Sequence, residues 1–257
     1  MSKSGSEEFR TLLLSIVMPV YNERDNIKAA LNAVNERVKY EHEILIIYDF
    51  DEDNTLPVVN ELKNFIPEIR LVKNKYGRGV LNAIKTGFES ASGRYVIVTM
   101  ADLSDPPEVM NNMIELAESE NAEVVCASRY MKGGSHKGGP LIKGLMSKTA
   151  GLTLYYLAGV PTHDATNSFK LYRKSYLDSI IIESHGGFEL GLELVVKAYS
   201  LGLKILEVPT SWQDREAGKS HFKILAWLPS YLKWYLLAFK IKLLRLSGGY
   251  HENRNVK

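Results

Sequence analysis

Short apolar runs along the chain alternate with longer stretches in which apolar residues recur at spacings of three and four. The first pattern is that of buried strands, and the second that of helices with one face on a core. Strands are predicted at Leu13–Pro19, Glu43–Asp49, Ile69–Asn74, Tyr95–Met100 and Ala122–Ser128, and later at Ser168–Tyr172 and Lys204–Pro209. Helices are predicted over 25–37, 57–65, 78–91, 107–119, 141–158 and 187–201. Such alternation implies βα units around a mainly parallel sheet, an α/β fold. The Gly-rich piece 133–140 reads as a mobile loop between two halves of different chemistry. A last helical pattern, over 222–246, carries an apolar stripe of Leu225, Leu228, Leu232, Tyr235, Phe239, Leu243 and Leu246. Lys233, Lys240 and Arg245 lie off the stripe, and Trp227 and Trp234 read as amphipathic interface residues. The pattern suits a helix lying in a membrane interface. Packing on the domain or in a dimer is the plainer alternative.

Composition changes this picture little. The chain has 257 residues and a net charge of +2, so no global excess of positive charge points to nucleic acid. The charge is uneven, however: Lys223–Lys257 holds seven Lys/Arg against one acid, which suits an anionic surface. One cysteine, Cys126, excludes an internal disulfide, fits a reducing compartment and is expected to be a buried thiol. No uncharged apolar run reaches the roughly 18 residues of a spanning helix. The polar residues 1–10 are expected to be disordered and not to form a signal peptide.

Ligands of open α/β sheets bind beyond the carboxyl ends of the strands. There this sequence places Tyr21 and Glu23, then Asp49, Asp51, Glu52 and Asp53, then Lys73, Lys75 and Arg78. Asp102, Ser104 and Asp105 follow the fourth strand, and Arg129, Tyr130 and Lys132 the fifth. Acids and bases converging on one rim suit a metal-bound nucleotide phosphate. Each has a plainer reading. Asn22 or Asp25, and Asp53 or Thr55, can cap helices. Gly77 and Gly79 around Arg78 make either an anion site or a loop. Ser104 or Asp105 can cap a helix whose first turn holds Pro106 or Pro107, with Glu108 favouring its dipole. Asp102 is left over by that account. Asp214, Arg215, Lys219 and Ser220 make either a grip on a diphosphate or a solvated loop.

Together these motifs resemble the family 2 inverting glycosyltransferases of GT-A fold, in particular the dolichol-phosphate mannose synthase branch and related polyprenyl-phosphate sugar transferases. Pro19-Val20-Tyr21-Asn22-Glu23 resembles the opening nucleotide-binding signature, and Asp49 and Asp53 match two acids of the acidic loop. Gly77-Arg78-Gly79 resembles the Gly-Lys-Gly element, and Ser128-Arg129-Tyr130 with Lys132-Gly133-Gly134 the lead into the acceptor loop. "HDATNSFKLYR" resembles the Asp-x-Thr-Ser-Gly-Phe stretch, and Asp214-Arg215 with Gly218-Lys219-Ser220 the late basic motif. Met100-Ala101-Asp102 departs from the Asp-x-Asp metal motif, since its first acid is a methionine.

The resemblance implies a GT-A (Rossmann-like), mainly parallel sheet flanked by helices, with a C-terminal amphipathic interface helix. It implies a domain over 11–221 with an acceptor loop at 131–160, an interface helix at 222–247 and a flexible tail at 248–257. It implies transfer of a mannose- or glucose-type sugar from a nucleotide-diphosphate sugar (GDP-mannose or a UDP-sugar) to a polyprenyl or dolichyl phosphate, with inversion. The nucleotide-sugar would be held by Pro19, Tyr21, Glu23, Asp49, Asp53 and Arg78. Asp102, Arg215 and Lys219 would act on the leaving diphosphate, and Arg129, Lys132 and Ser220 would take the acceptor phosphate. Mg2+ or Mn2+ would sit at Asp102 and Ser104, with Asp105 or the acids at 49–53 as helpers. The enzyme would be cytoplasmic and peripheral on the membrane, with no nucleic-acid partner and homo-oligomerisation left open. Two alternatives stay open: a soluble or glycan acceptor with Asp164 or Glu189 as base, and a non-catalytic nucleotide-sugar-binding protein at a membrane.

Overall fold

The computed structural model describes residues 12–214 and 224–248. Seven strands form the central sheet: β1 (Leu14–Val20), β2 (His42–Tyr48), β3 (Ile69–Lys73), β4 (Tyr95–Val98), β5 (Val124–Ser128), β7 (Lys170–Arg173) and β8 (Ile205–Pro209). Their order is β3-β2-β1-β4-β7-β5-β8. All pairings are parallel except those of β7, which runs antiparallel to β4 and β5. Both faces of the sheet are covered, which is why the strands read as continuous apolar runs; every residue of β1 is buried.

Helices α1 (Arg24–Arg37) and α4 (Val109–Glu120) bury Ile27, Leu31, Met110 and Met113 against one face. Helices α3 (Val80–Ser90), α7 (Leu190–Ser200) and α8 (Ile224–Leu246) bury Ile84, Phe88, Leu194 and Trp234 on the other. The short helices α2 (Thr55–Leu62) and α6 (Lys174–Ser179) complete the βα alternation. Cys126 is fully buried in β5, and burial pushes its thiol up to about 11, so it is an inert core residue.

Several expectations are corrected. Part of the Gly-rich piece is ordered as strand β6 (Ser135–Lys137), paired with β9 (Ser211–Gln213) in a separate two-stranded sheet. The helix expected over 141–158 is α5 (Leu141–Thr153) followed by a π-helical turn, Leu154–Ala158, that stops at Gly159. Helix α4 begins at Val109, after two Pro-carbonyl turns (Val109 N–H to Pro106 O, 3.2 Å; Met110 N–H to Pro107 O, 3.0 Å). Neither Ser104 nor Asp105 caps it, and no side chain caps α1 either.

Helix α8 packs one face on the domain and leaves another exposed. Trp234, Ala238 and Ile241 are buried on the domain, whereas Leu228, Leu232, Leu236, Leu243 and Leu246 stay exposed. Trp234 is therefore a core residue and not an interface anchor, and its ring meets the ammonium groups of Lys197 (5.0 Å) and Lys233 (4.4 Å). The exposed stripe adjoins a second apolar face on α5 and the π-helical turn, which offers Leu141, Ile142, Leu145, Tyr156 and Leu157 to solvent. A Thr153–Tyr235 hydroxyl contact of 2.8 Å ties the two elements together. Among the described residues no helix is long and apolar enough to cross a membrane. Residues 1–10 and the tail beyond 248 lie outside the described residues.

Candidate active site

Three loops meet beyond the carboxyl ends of β1, β2 and β3. Asp53 is buried, and its two oxygens accept the Asn22 N–H at 3.1 and 3.2 Å while one also accepts the Thr55 N–H at 2.8 Å. The Thr55 hydroxyl accepts the Glu23 N–H at 2.9 Å. Asp53 thus stitches the loop after β1 to the start of α2 and spends its carboxylate doing so. Asn22, held at φ 55°, accepts the left-handed conformation that Asn tolerates better than most residues.

Asp49 does the same for the third loop. It accepts the Asn74 amide at 2.7 Å and the Gly79 N–H at 2.9 Å. Gly77 (φ 85°) and Gly79 (φ 126°) occupy backbone regions that side chains disfavour, so this loop requires both glycines. Arg78 between them lies 4.7 Å over the Phe50 ring, and Tyr21 meets Phe50 edge-on at 5.7 Å. Tyr21, Asp49 and Arg78 are thus brought together around Phe50. Glu23 accepts the Asn26 amide at 2.8 Å, and Pro19 lies inside the buried strand β1 and not on the rim.

At the end of β4, Asp102 accepts the Ser104 N–H at 3.1 Å across Leu103, whose φ of 56° is unusual for a leucine. The Ser104 carbonyl accepts the Gln213 N–H of β9 at 3.2 Å, tying this loop to the second sheet. Asp105 is buried, one of its oxygens has no hydrogen-bond partner, and its carboxyl is pushed up to about 7. Burial is the main cause; Arg129 opposes it, and Asp102 adds to it. No group of three His, Cys, Asp or Glu side chains converges among the described residues. Asp102 with the unpartnered Asp105 oxygen nonetheless fits a hard divalent cation, which takes one or two carboxylates and completes its shell with substrate phosphate oxygens and water.

Beyond β5, a cleft of about 490 Å³ opens between α5, α8 and the β6–β9 sheet. Arg129 stands at its base, with its Nε 2.6 Å and its Nη2 2.9 Å from the oxygens of the fully buried Asp164. Nη2 also donates to the Ser147 hydroxyl at 3.0 Å. Asp164 is engaged by this pair. Glu189 accepts the Gly186 N–H at 2.6 Å and is fully buried, with one oxygen unpartnered. Lys143 and Ser147 line the cleft together, one helical turn apart on α5. Lys143 closes the basic loop Lys132–Lys143 expected to bring in the lipid phosphate, whereas Ser147 belongs to no motif of the sequence. Trp212 and Tyr231, also lining, were missed because β9 and the docking of α8 set their places. Lys132 is exposed in the turn before β6 and does not line the cleft. Arg215, Lys219 and Ser220 lie outside the described residues.

The model of glycosyl transferase family 2 matches residues 15–181, and the chain belongs to that family. It is 29% identical over 216 residues to a dolichol-phosphate mannosyltransferase of Pyrococcus furiosus, covering 82% of this chain and 59% of that protein. It is also 29% identical over 211 residues to a polyprenol monophosphomannose synthase of Mycolicibacterium smegmatis, covering 80% and 79%. The chain thus spans about three-fifths of the length of the first of these relatives. Among solved structures it resembles glucosyl-3-phosphoglycerate synthase of Mycobacterium tuberculosis bound to UDP (TM-score 0.67, 17% identity, 89% of this chain and 80% of that one). It also resembles S. aureus TarS bound to UDP-GlcNAc (TM-score 0.62, 17% identity, 91% and 67%). These likenesses establish the GT-A fold.

Proposed function

We propose that this protein transfers a sugar from a nucleotide-diphosphate sugar to a polyprenyl phosphate at a membrane surface, with inversion. The observation that carries this reading is the cleft that joins Arg129, Lys143 and Ser147 to an apolar face on α5 and α8. An anionic head with an aliphatic chain matches that arrangement. The relatives named for dolichol-phosphate and polyprenol mannose transfer support the acceptor class.

Tyr21, Asp49 and Arg78 would border the nucleoside, with Glu23 and Asp53 shaping the loops beneath it. Asp102 and Ser104 would hold Mg2+ or Mn2+ beside the diphosphate, with Asp105 adjoining. When bound, that ion supplies positive charge to the leaving diphosphate. Arg215 and Lys219 would add to it from the late basic motif, and Arg129, with Lys132 and Ser220, would meet the acceptor phosphate. An oxygen of that phosphate attacks the anomeric carbon as the bond to the diphosphate breaks, and the nucleoside diphosphate leaves. The attacking oxygen is already ionised at neutral pH, so no side chain need remove a proton. The engagement of Asp164 by Arg129 agrees with this, and it disfavours a hydroxyl acceptor that would need Asp164 as base.

The protein should be stabilised against heat by one class of nucleotide diphosphate in the presence of Mn2+ or Mg2+. Asp102→Asn should lose transfer by about a hundred- to a thousandfold, the scale of a lost transition-state charge contact, while melting within a few degrees of the parent. Full transfer activity in that variant would remove Asp102 from the site.

A further inference from the structure

The two-stranded sheet gives the cleft a wall that the reaction chemistry alone does not require. Trp212 on β9 and His136 on β6 stack face to face, with centroids 4.7 Å apart and planes 8° from parallel. Tyr130 leans on the imidazole from 6.3 Å. Two glycines allow helix α5 and its approach to close on this stack. A Cβ at Gly144 would come within 3.1 Å of the His136 ring, and one at Gly139 within 3.4 Å of the Trp212 ring. Gly139 also holds φ 74°. The stack is fixed from behind as well: the Asp214 N–H donates to Lys137 O at 3.0 Å, and the Gln213 N–H to Ser104 O.

Trp212 and His136 both line the cleft, with Met146, Phe188 and Leu228 as apolar neighbours and with Arg129, Lys143 and Asp214 among its polar residues. Burial, and next the Arg129 charge, lower the His136 pKa below its ordinary value, so the wall is uncharged at neutral pH. A flat, neutral aromatic surface beside a cationic pocket fits an apolar unit attached directly to a phosphate.

We propose that Trp212, held by its stack on His136, is a specificity-determining residue that packs against the isoprene unit next to the acceptor phosphate. This rests on the reading of the cleft as the lipid-phosphate site. Removing that apolar contact should weaken acceptor binding about tenfold, with little change at the donor site.

The test uses the full chain with farnesyl phosphate, measuring its Kd by calorimetry without donor, and KM and kcat in transfer. Trp212→Ser should raise the Kd and the acceptor KM about tenfold, with donor KM and kcat shifting far less; Trp212→Phe should recover most of the affinity. Thermal melts identify a Trp212→Ser protein that fails to fold, in which case His136→Ala, which frees the stack, should show the same acceptor-selective loss. The proposal is overturned if farnesyl phosphate binds the parent and the variants equally, or if donor and acceptor constants deteriorate together. Binding of farnesyl phosphate in a Trp212-dependent way without any transfer would instead sink the proposed function and leave the wall standing. No binding to the parent would sink both.

Discussion

At the scale of single residues, the site is built from carboxylates that have been given structural employment. Asp49, Asp53 and Asp164 each hold a neighbouring loop or side chain, at 2.6–3.2 Å. The Arg129–Asp164 pair is the most demanding, since the Asp is fully buried and the Arg nearly so. Removing one partner of a buried pair leaves a charge without compensation, at a cost of about 3–5 kcal/mol. Asp164→Asn should therefore lower the unfolding free energy by an amount of that size, measurable by urea unfolding. A change under about 1 kcal/mol would mean that Arg129 finds another partner. That acids gather on one rim was legible in the sequence, because residues after strands share an edge. Which acids would be consumed was not legible. The Asp53–Asn22 contact spans 31 positions and the Arg129–Asp164 contact 35, and no local pattern predicts such pairings.

At the scale of elements, the seven sheet strands and the long helices follow the apolar periodicity closely, with boundaries shifted by a few residues. The elements that escaped notice, β6, β9 and α6, are three to six residues long and carry little period. The antiparallel direction of β7 is a tertiary choice that periodicity does not encode. Helix α8 shows how two faces can share one sequence: its inner face is fixed by Trp234 and by Glu183, which bridges Lys197 and Lys233, each at 2.9 Å. Hydrogen bonds from Lys197 and then Lys233 lower the Glu183 carboxyl to about 2. A lowered carboxylate stabilises the fold above its unfolded pKa, and that contribution fades as pH falls toward the folded value. The stability difference between the parent and Glu183→Gln should therefore be present above about pH 4.5 and vanish toward about pH 2. Glu183 is half exposed, so the difference should stay below about 1 kcal/mol. Parallel stability curves over that range would show that the bridge contributes nothing.

At the scale of the whole molecule, the exposed leucines of α5 and α8 lie on elements joined by the Thr153–Tyr235 contact. Basic residues accompany them, which is the composition of a helix lying in a membrane interface. A triple variant Leu141→Asp, Leu145→Asp, Leu236→Asp should lose binding to anionic phospholipid vesicles in a flotation assay while keeping its melting temperature within a few degrees. These side chains are 89%, 68% and 56% exposed, so the fold does not depend on them. Undiminished flotation would place the membrane contact elsewhere.

The central claim is that the sugar ends on a lipid phosphate. The most direct measurement supplies radiolabelled GDP-mannose, UDP-glucose or UDP-GlcNAc with Mn2+ or Mg2+ and a short polyprenyl phosphate, and follows label into the butanol phase. One donor should deliver its sugar to the lipid, as an acid-labile glycosyl phosphate of inverted configuration, only when the phosphate is present. Transfer to a free hydroxyl acceptor, or tight nucleotide binding with no label leaving the donor under any pairing, would contradict the account.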